Sequence, residues 1–243
     1  MAQGNKITFD DVLEDLFGLS VRAIKTVTTL FNRPADYYAA AHDKYWEGRF
    51  TPSMRMWLSL FALLSFLQFI WLNADSPLVA FTAAQITESG QALPPDMSAD
   101  ELSQGVYAAA YTAFPVLALI ALTLGGMVFP FWGKGHSPAT RIRSTFITVI
   151  PSSIASLILV ILTTRLAPDQ ISTDYSLLGA GIAFIFDFST SSRGAFSASK
   201  WVIRILRALA LAIWLGTLTI LVSILSSYAG LAIVSLQTGV WLF

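Results

Sequence analysis

The chain has no cysteine. That single absence excludes disulfides, thiolate metal sites and cysteine nucleophiles together. Charge is almost as scarce: Asp, Glu, Lys and Arg make up 12% of the 243 residues, and the two signs cancel at fifteen each. A neutral chain has no bulk attraction for nucleic acid, so no nucleic-acid partner is expected. The phosphate-cradling glycine loop, the Gly-x-Ser-x-Gly elbow and the His-Glu-x-x-His pair are missing too. Of the two histidines, His42 adjoins Asp43 with Asp36 and Glu47 nearby, and His136 stands alone in a glycine-rich turn. Neither repeats the spacing of a known metal site, so no metal, cofactor or catalytic activity is expected. The first residues, MAQGNKITFDDVLEDLF, are too acidic and too weakly apolar for a signal peptide.

What the chain has instead is apolar sequence: 55% hydrophobic residues and a mean hydropathy of +0.64. Such a composition predicts an all-α, polytopic helical membrane protein rather than a soluble domain. Nineteen uncharged residues separate Arg55 from Asp75. At about 1.5 Å per helical residue they match the roughly 30 Å hydrocarbon core of a bilayer. Thr51-Pro52 supplies a cap and a proline at the first helical position.

Along the rest of the chain the apolar segments predict about five spans, near 54–73, 106–130, 144–166, 173–190 and 201–227. Pro115 falls inside the second, and Pro151-Ser152-Ser153 interrupts the third. Inside lipid, such breaks require neighbouring helices or hydroxyls to satisfy freed carbonyls. These prolines, with Gly125-Gly126, make either broken helices around a substrate or kinks for packing. No charge occurs from Ala208 to Phe243, a stretch of about 54 Å as helix. Residues 228–243 therefore form an outer-leaflet or oligomer-contacting tail or, with a hairpin near Ser226-Ser227, a short sixth span.

Residues 1–50 precede the spans and form a segment of their own. Thr8 to Asp11 reads as a capping box, and Val12, Leu13, Leu16, Phe17, Ile24, Val27 and Leu30/Phe31 recur at roughly helical spacing. This amphipathic run lies on a membrane surface or packs on a partner, or else packs on the protein's own spans. Ala35 to Glu47 reads as a second short helix ended by Gly48, with Tyr37, Tyr38, Tyr45 and Trp46 suited to the headgroup zone.

The distribution of charge sets an expected topology. Asn73 to Gly105 holds five acids and no Lys or Arg, whereas fourteen of the fifteen basic residues fall on the other side of the five-span map, leaving Arg165 alone opposite. By the positive-inside rule the N-terminus is cytoplasmic and the C-terminus outside, in the plasma (inner) membrane.

Asp187 is the one acid embedded in a hydrophobic segment. It is expected to pair with Arg193, Arg204 or Arg207 near the cytoplasmic interface, or else to serve transport or ligand binding. Lys200, Arg204 and Arg207 share one helical face and are candidate lipid-headgroup contacts, or plain snorkelling anchors.

Thr29-Leu30-Phe31-Asn32-Arg33-Pro34 is followed by Tyr45-Trp46-Glu47-Gly48-Arg49-Phe50-Thr51-Pro52, which leads into the first span. Together, over residues 29–60, they resemble a poorly characterised bacterial group that is similar to the Yip-type five-span family of membrane and vesicle proteins. Gly48-Arg49 supplies one basic residue where that pattern usually has two, and no cysteine-rich ribbon precedes it. The resemblance implies a fold and a location, and no catalytic residues. The expected role is that of a non-enzymatic accessory, scaffolding or assembly component, with lipids and other membrane subunits or a second copy as partners. The alternative is a small permease or channel-like subunit that uses Asp187 and the kinked second and third spans.

Overall fold

The structure, a computed structural model, describes residues 21–71, 76–88, 93, 97–133, 135–163 and 173–239. The expected capping box at Thr8, the apolar positions before Val21, and Arg165 lie outside the described residues. Among those described, every regular element is helical. In chain order they are α1 (Val21–Asn32), α2 (Pro34–Ala40), α3 (Ser53–Trp71), α4 (Pro77–Glu88), α5 (Ala99–Val128), α6 (Pro138–Thr163), α7 (Thr173–Arg193) and α8 (Trp201–Thr238). Short 3₁₀ turns cover Trp46–Gly48 and Pro130–Trp132. Three helices, α5, α6 and α8, are long and apolar enough to cross a membrane.

α6 is the central stave. It touches α3, α5 and α7, and every residue from Ser144 to Ile150 is buried. Its start is set locally: Ser137 Oγ accepts the Thr140 N–H at 3.2 Å, and Pro138 takes the first helical position. α5 begins earlier than the apolar run suggests because Ser98 and Glu101 form a reciprocal capping box. At its far end, Phe129 N–H bonds Gly125 O at 3.0 Å, Trp214 Nε1 donates to the same carbonyl at 3.2 Å, and Trp132 Nε1 donates to Gly126 O at 2.8 Å. Carbonyls that a helix end leaves open are thus satisfied without water.

Helix association in lipid depends on close packing rather than on water exclusion. Glycine supplies it here. A Cβ on Gly125 would overlap Leu218, and one on Gly126 would overlap Thr145, so this pair seats α5 against both α8 and α6. Gly230 faces Val106 O, where a Cβ would lie at 2.6 Å. These contacts run α5 and α8 antiparallel. Both α5 and α6 pass through their prolines without breaking, so Gly125-Gly126 serves packing.

α8 is one helix of 38 residues, about 57 Å long, ended by Gly239 at φ +70°. The hairpin considered near Ser226-Ser227 does not form. Ser226 and Ser227 bond back to the carbonyls of Val222 and Ser223 at 2.8 and 3.0 Å, which keeps their hydroxyls within a continuous helix. α7 likewise outlasts its expected end and runs to Arg193, with Ser191 Oγ donating to Asp187 O at 2.7 Å.

Residues 21–50 close one end of the bundle. Thr26 Oγ1 accepts the Thr51 N–H at 2.9 Å and Tyr37 OH donates to Thr51 O at 2.6 Å, so α1 and α2 clasp the start of α3 from both sides. In α1, Ala23, Thr26 and Leu30 are buried whereas Ile24 is 66% exposed. The inward face is therefore turned from the expected stripe, and it packs on the protein's own bundle. The single helix expected over 35–47 ends at Ala40. Beyond it, Asp43 Oδ2 accepts the Glu47 N–H at 2.7 Å, and Arg143 Nη1 donates to the carbonyls of Ala41 and Asp43 at 2.8 and 3.0 Å. Trp46 and Glu47 then adopt φ of +54° and +53°. The buried Trp46 ring, 5.2 Å from Tyr37 and beneath the Arg143 guanidinium, holds that strained turn.

Arg143 is thus the clamp for this closure. Charged hydrogen bonds contribute about 1.5–3 kcal/mol. Arg143→Gln is expected to leave α3 and α5 to α8 folded while trypsin cuts at Lys44 and Arg49 much faster than in the parent protein. Equal cleavage rates would show that the clamp does not hold the segment.

Candidate functional site

Asp187 sits two turns before the end of α7 and faces α6. It is 7% exposed, and among the described residues its Oδ1 has no hydrogen-bond partner. Ser152 is the side chain that acts on the carboxyl, although its hydroxyl also bonds Val149 O at 3.0 Å. One turn back along α6, Thr148 Oγ1 meets Tyr38 OH at 2.7 Å. Burial drives the Tyr38 phenol well above its usual range; the Thr148 bond opposes this and the Asp187 charge adds to it. The phenol therefore stays protonated. The Tyr38 ring lies against Gly194, where a Cβ would overlap it. α2 thus seats a tyrosine beneath Asp187 at the closed end of the bundle.

Above Asp187 a cavity of about 320 Å³ opens between α3, α5, α6, α7 and α8. Its polar lining is Asp187, Ser152, Ser153, Ser156, Tyr111 and Thr219. The remainder is apolar and strongly aromatic. Trp57 and Phe61 lie 4.9 Å apart, and Phe61 stacks on Phe114 at 5.2 Å and 10°. Phe184 adds a fourth ring. Of the lining residues, Ala180, Phe184, Thr219 and Ile220 are the exposed ones, so the mouth lies between α7 and α8 on the bundle's outer face. The lining residues of α5, α6 and α8 fall near the middle of each helix.

The expected ion pair is not formed. Among the described residues the only salt bridge joins Arg49 to Glu47. Arg193 Nη2 donates to Asn32 O at 3.1 Å and Arg207 Nη1 to Ser199 Oγ at 3.5 Å. Arg204 Nε is buried without a partner, and Lys200 is exposed at the start of α8. Arg193 is six residues past Asp187, roughly 120° around the helix, and so faces α1 rather than the cavity. The arginines serve the closed end while the carboxyl turns inward.

Two groupings escaped the sequence reading. Thr148, Ser152 and Ser156 recur every four residues, a polar stripe on an apolar helix that the neighbouring proline obscured. His42 and His136, far apart in sequence, have rings 5.5 Å apart, and Trp132 stacks on His136. Among the described residues no group of three or more His, Asp or Glu side chains is placed to hold a metal.

Comparison with known protein families, curated proteins and solved structures finds no match.

Proposed function

We propose that the chain is a five-span protein of the plasma membrane whose work is done by the chamber at Asp187, as a small permease or channel-like subunit. One observation carries this reading: a buried carboxyl with an unpartnered oxygen faces a cavity at the mid-depth of the bundle. An unpaired acid is costly in a low-dielectric interior and is most often retained for a ligand, an ion or a proton. α3, a shorter apolar helix, and α7, which carries Asp187, serve as the first and fourth spans beside α5, α6 and α8. The closed end carries most basic residues and faces the cytoplasm by the positive-inside rule, with the C-terminus outside. The Yip-like stretch at 29–60 coincides with the clasp between α1, α2 and α3, in keeping with a membrane role.

One observation favours the accessory or assembly role beside it. α8 runs well past the length one bilayer needs, and its last turns present Ile233 and, at 81% exposure, Leu236. That surface suits another membrane subunit or a second copy.

The lack of cysteine makes the chamber directly testable. Ser153→Cys and Ser156→Cys, each the only thiol in its protein, are expected to react in the folded state with methyl methanethiosulfonate, a small uncharged reagent that reaches the mouth from water or from lipid. Ser226→Cys, buried between α5 and α8, should stay unreactive. A dry bundle would protect all three positions equally, and the chamber reading would then be wrong.

A further inference from the structure

We infer that the chamber selects lipophilic cations: small ammonium compounds carrying an aromatic or alkyl group. This rests on the chamber reading above and names its ligand class. Among the described residues, Asp187 is the sole acidic side chain in the lining, and no Lys, Arg or His joins it. An anion entering would meet an uncompensated carboxylate and nothing to offset it. A neutral apolar molecule would fill the space and leave the carboxyl unpaired. A cation supplies the missing charge, and it does so where Asp187 has found no arginine.

The aromatic wall adds a second preference. Trp57, Phe61, Phe114 and Phe184 line the cavity, and aromatic quadrupoles attract a cation, most strongly when it is desolvated. The volume of about 320 Å³ lies at the small end of ligand pockets, which span about 300–1,000 Å³. The location of the mouth gives the third. Its exposed rim, Ala180, Phe184, Thr219 and Ile220, lies on the outer flank of α7 and α8, which faces lipid in the five-span arrangement. A molecule entering there passes along the lipid interface, where an aromatic or alkyl group favours the cation that carries one over a fully hydrophilic ion.

The test uses the full chain in nanodiscs and tritiated benzyltrimethylammonium, with binding read by equilibrium dialysis. Competitors are neopentylbenzene, the neutral isostere in which carbon replaces nitrogen, and the benzylsulfonate anion. The native protein is expected to bind the cation saturably, with neither competitor displacing it. Asp187→Asn should weaken binding at least tenfold without lowering the unfolding temperature, and Asp187→Glu should retain most of it. If neopentylbenzene displaces the cation and Asp187→Asn binds as tightly as native, recognition is apolar and the cation assignment falls while the chamber stands. If nothing binds saturably yet Ser156→Cys is labelled, the cation assignment falls alone. If nothing binds and Ser156→Cys is protected, both fall.

Discussion

Asp187→Asn is expected to leave the thermal stability of the detergent-solubilised protein unchanged or to raise it. Among the described residues, one oxygen of the carboxyl has no partner and no arginine lies within salt-bridge distance. Neutralising an unsatisfied buried group relieves its desolvation penalty, about 1–3 kcal/mol, whereas breaking a buried pair would cost about 3–5 kcal/mol. The sign of the change therefore separates the two arrangements. Combining Asp187→Asn with Arg204→Gln or Arg207→Gln should give additive effects, to within about 0.5 kcal/mol. A large loss on Asp187→Asn that either arginine substitution partly restores would re-establish the ion pair and remove the basis for a ligand role. Thermal unfolding followed by tryptophan fluorescence, with the native protein, the three single and the two double variants in one detergent, reads both quantities.

Gly194→Ala is expected to loosen the closed end of the bundle. Its new Cβ would overlap the Tyr38 ring and lie 2.9 Å from Thr190 O. Tyr38 has little room to yield, being 6% exposed and bonded to Thr148 at 2.7 Å. Overpacking of this kind costs about 1–3 kcal/mol, and part of it here is the lost Tyr38–Thr148 bond. In a Tyr38→Ala background the same substitution should cost well under half as much, because the ring it strikes has gone. Equal costs in both backgrounds would mean that the backbone of the α7–α8 turn carries the strain and Tyr38 is not the plug. Protease access to Lys44 and Arg49 gives an independent reading, since α2 is displaced with its tyrosine.

Local chemistry made much of the fold readable before any coordinates. The absence of cysteine and the scarcity of charge left helices in a membrane as the consistent reading, and the apolar runs near 106–130, 144–166 and 201–227 coincide with α5, α6 and α8. Helix ends were less legible, because polar flanks extend helices beyond their apolar part. Ser98 and Glu101 start α5 early, Ser137 and Pro138 start α6 early, and back-bonded serines prolong α7 and α8. The interruption of 35–47 is different in kind. Asp43 takes the Glu47 N–H from within that segment, and Arg143, a hundred residues away, bonds the Ala41 and Asp43 carbonyls.

The identity of Asp187 as the exceptional residue was plain from sequence, since an acid in an apolar run is costly wherever it sits. Its partner was not. Spacing along a helix says which residues share a face, but the direction that face takes is set by packing against other helices. Here α7 turns Asp187 toward Ser152 and the cavity, while Arg193 reaches Asn32 and Arg207 reaches Ser199. The chamber itself has no sequence signature, because five helices contribute to it and each offers only a few side chains of ordinary type. Composition and period thus determined that the chain is helical and apolar, for those are local properties of the chain in its solvent. Whether its one embedded acid met an arginine or an open space was decided only by tertiary packing, because neighbours across helices are not neighbours along the chain.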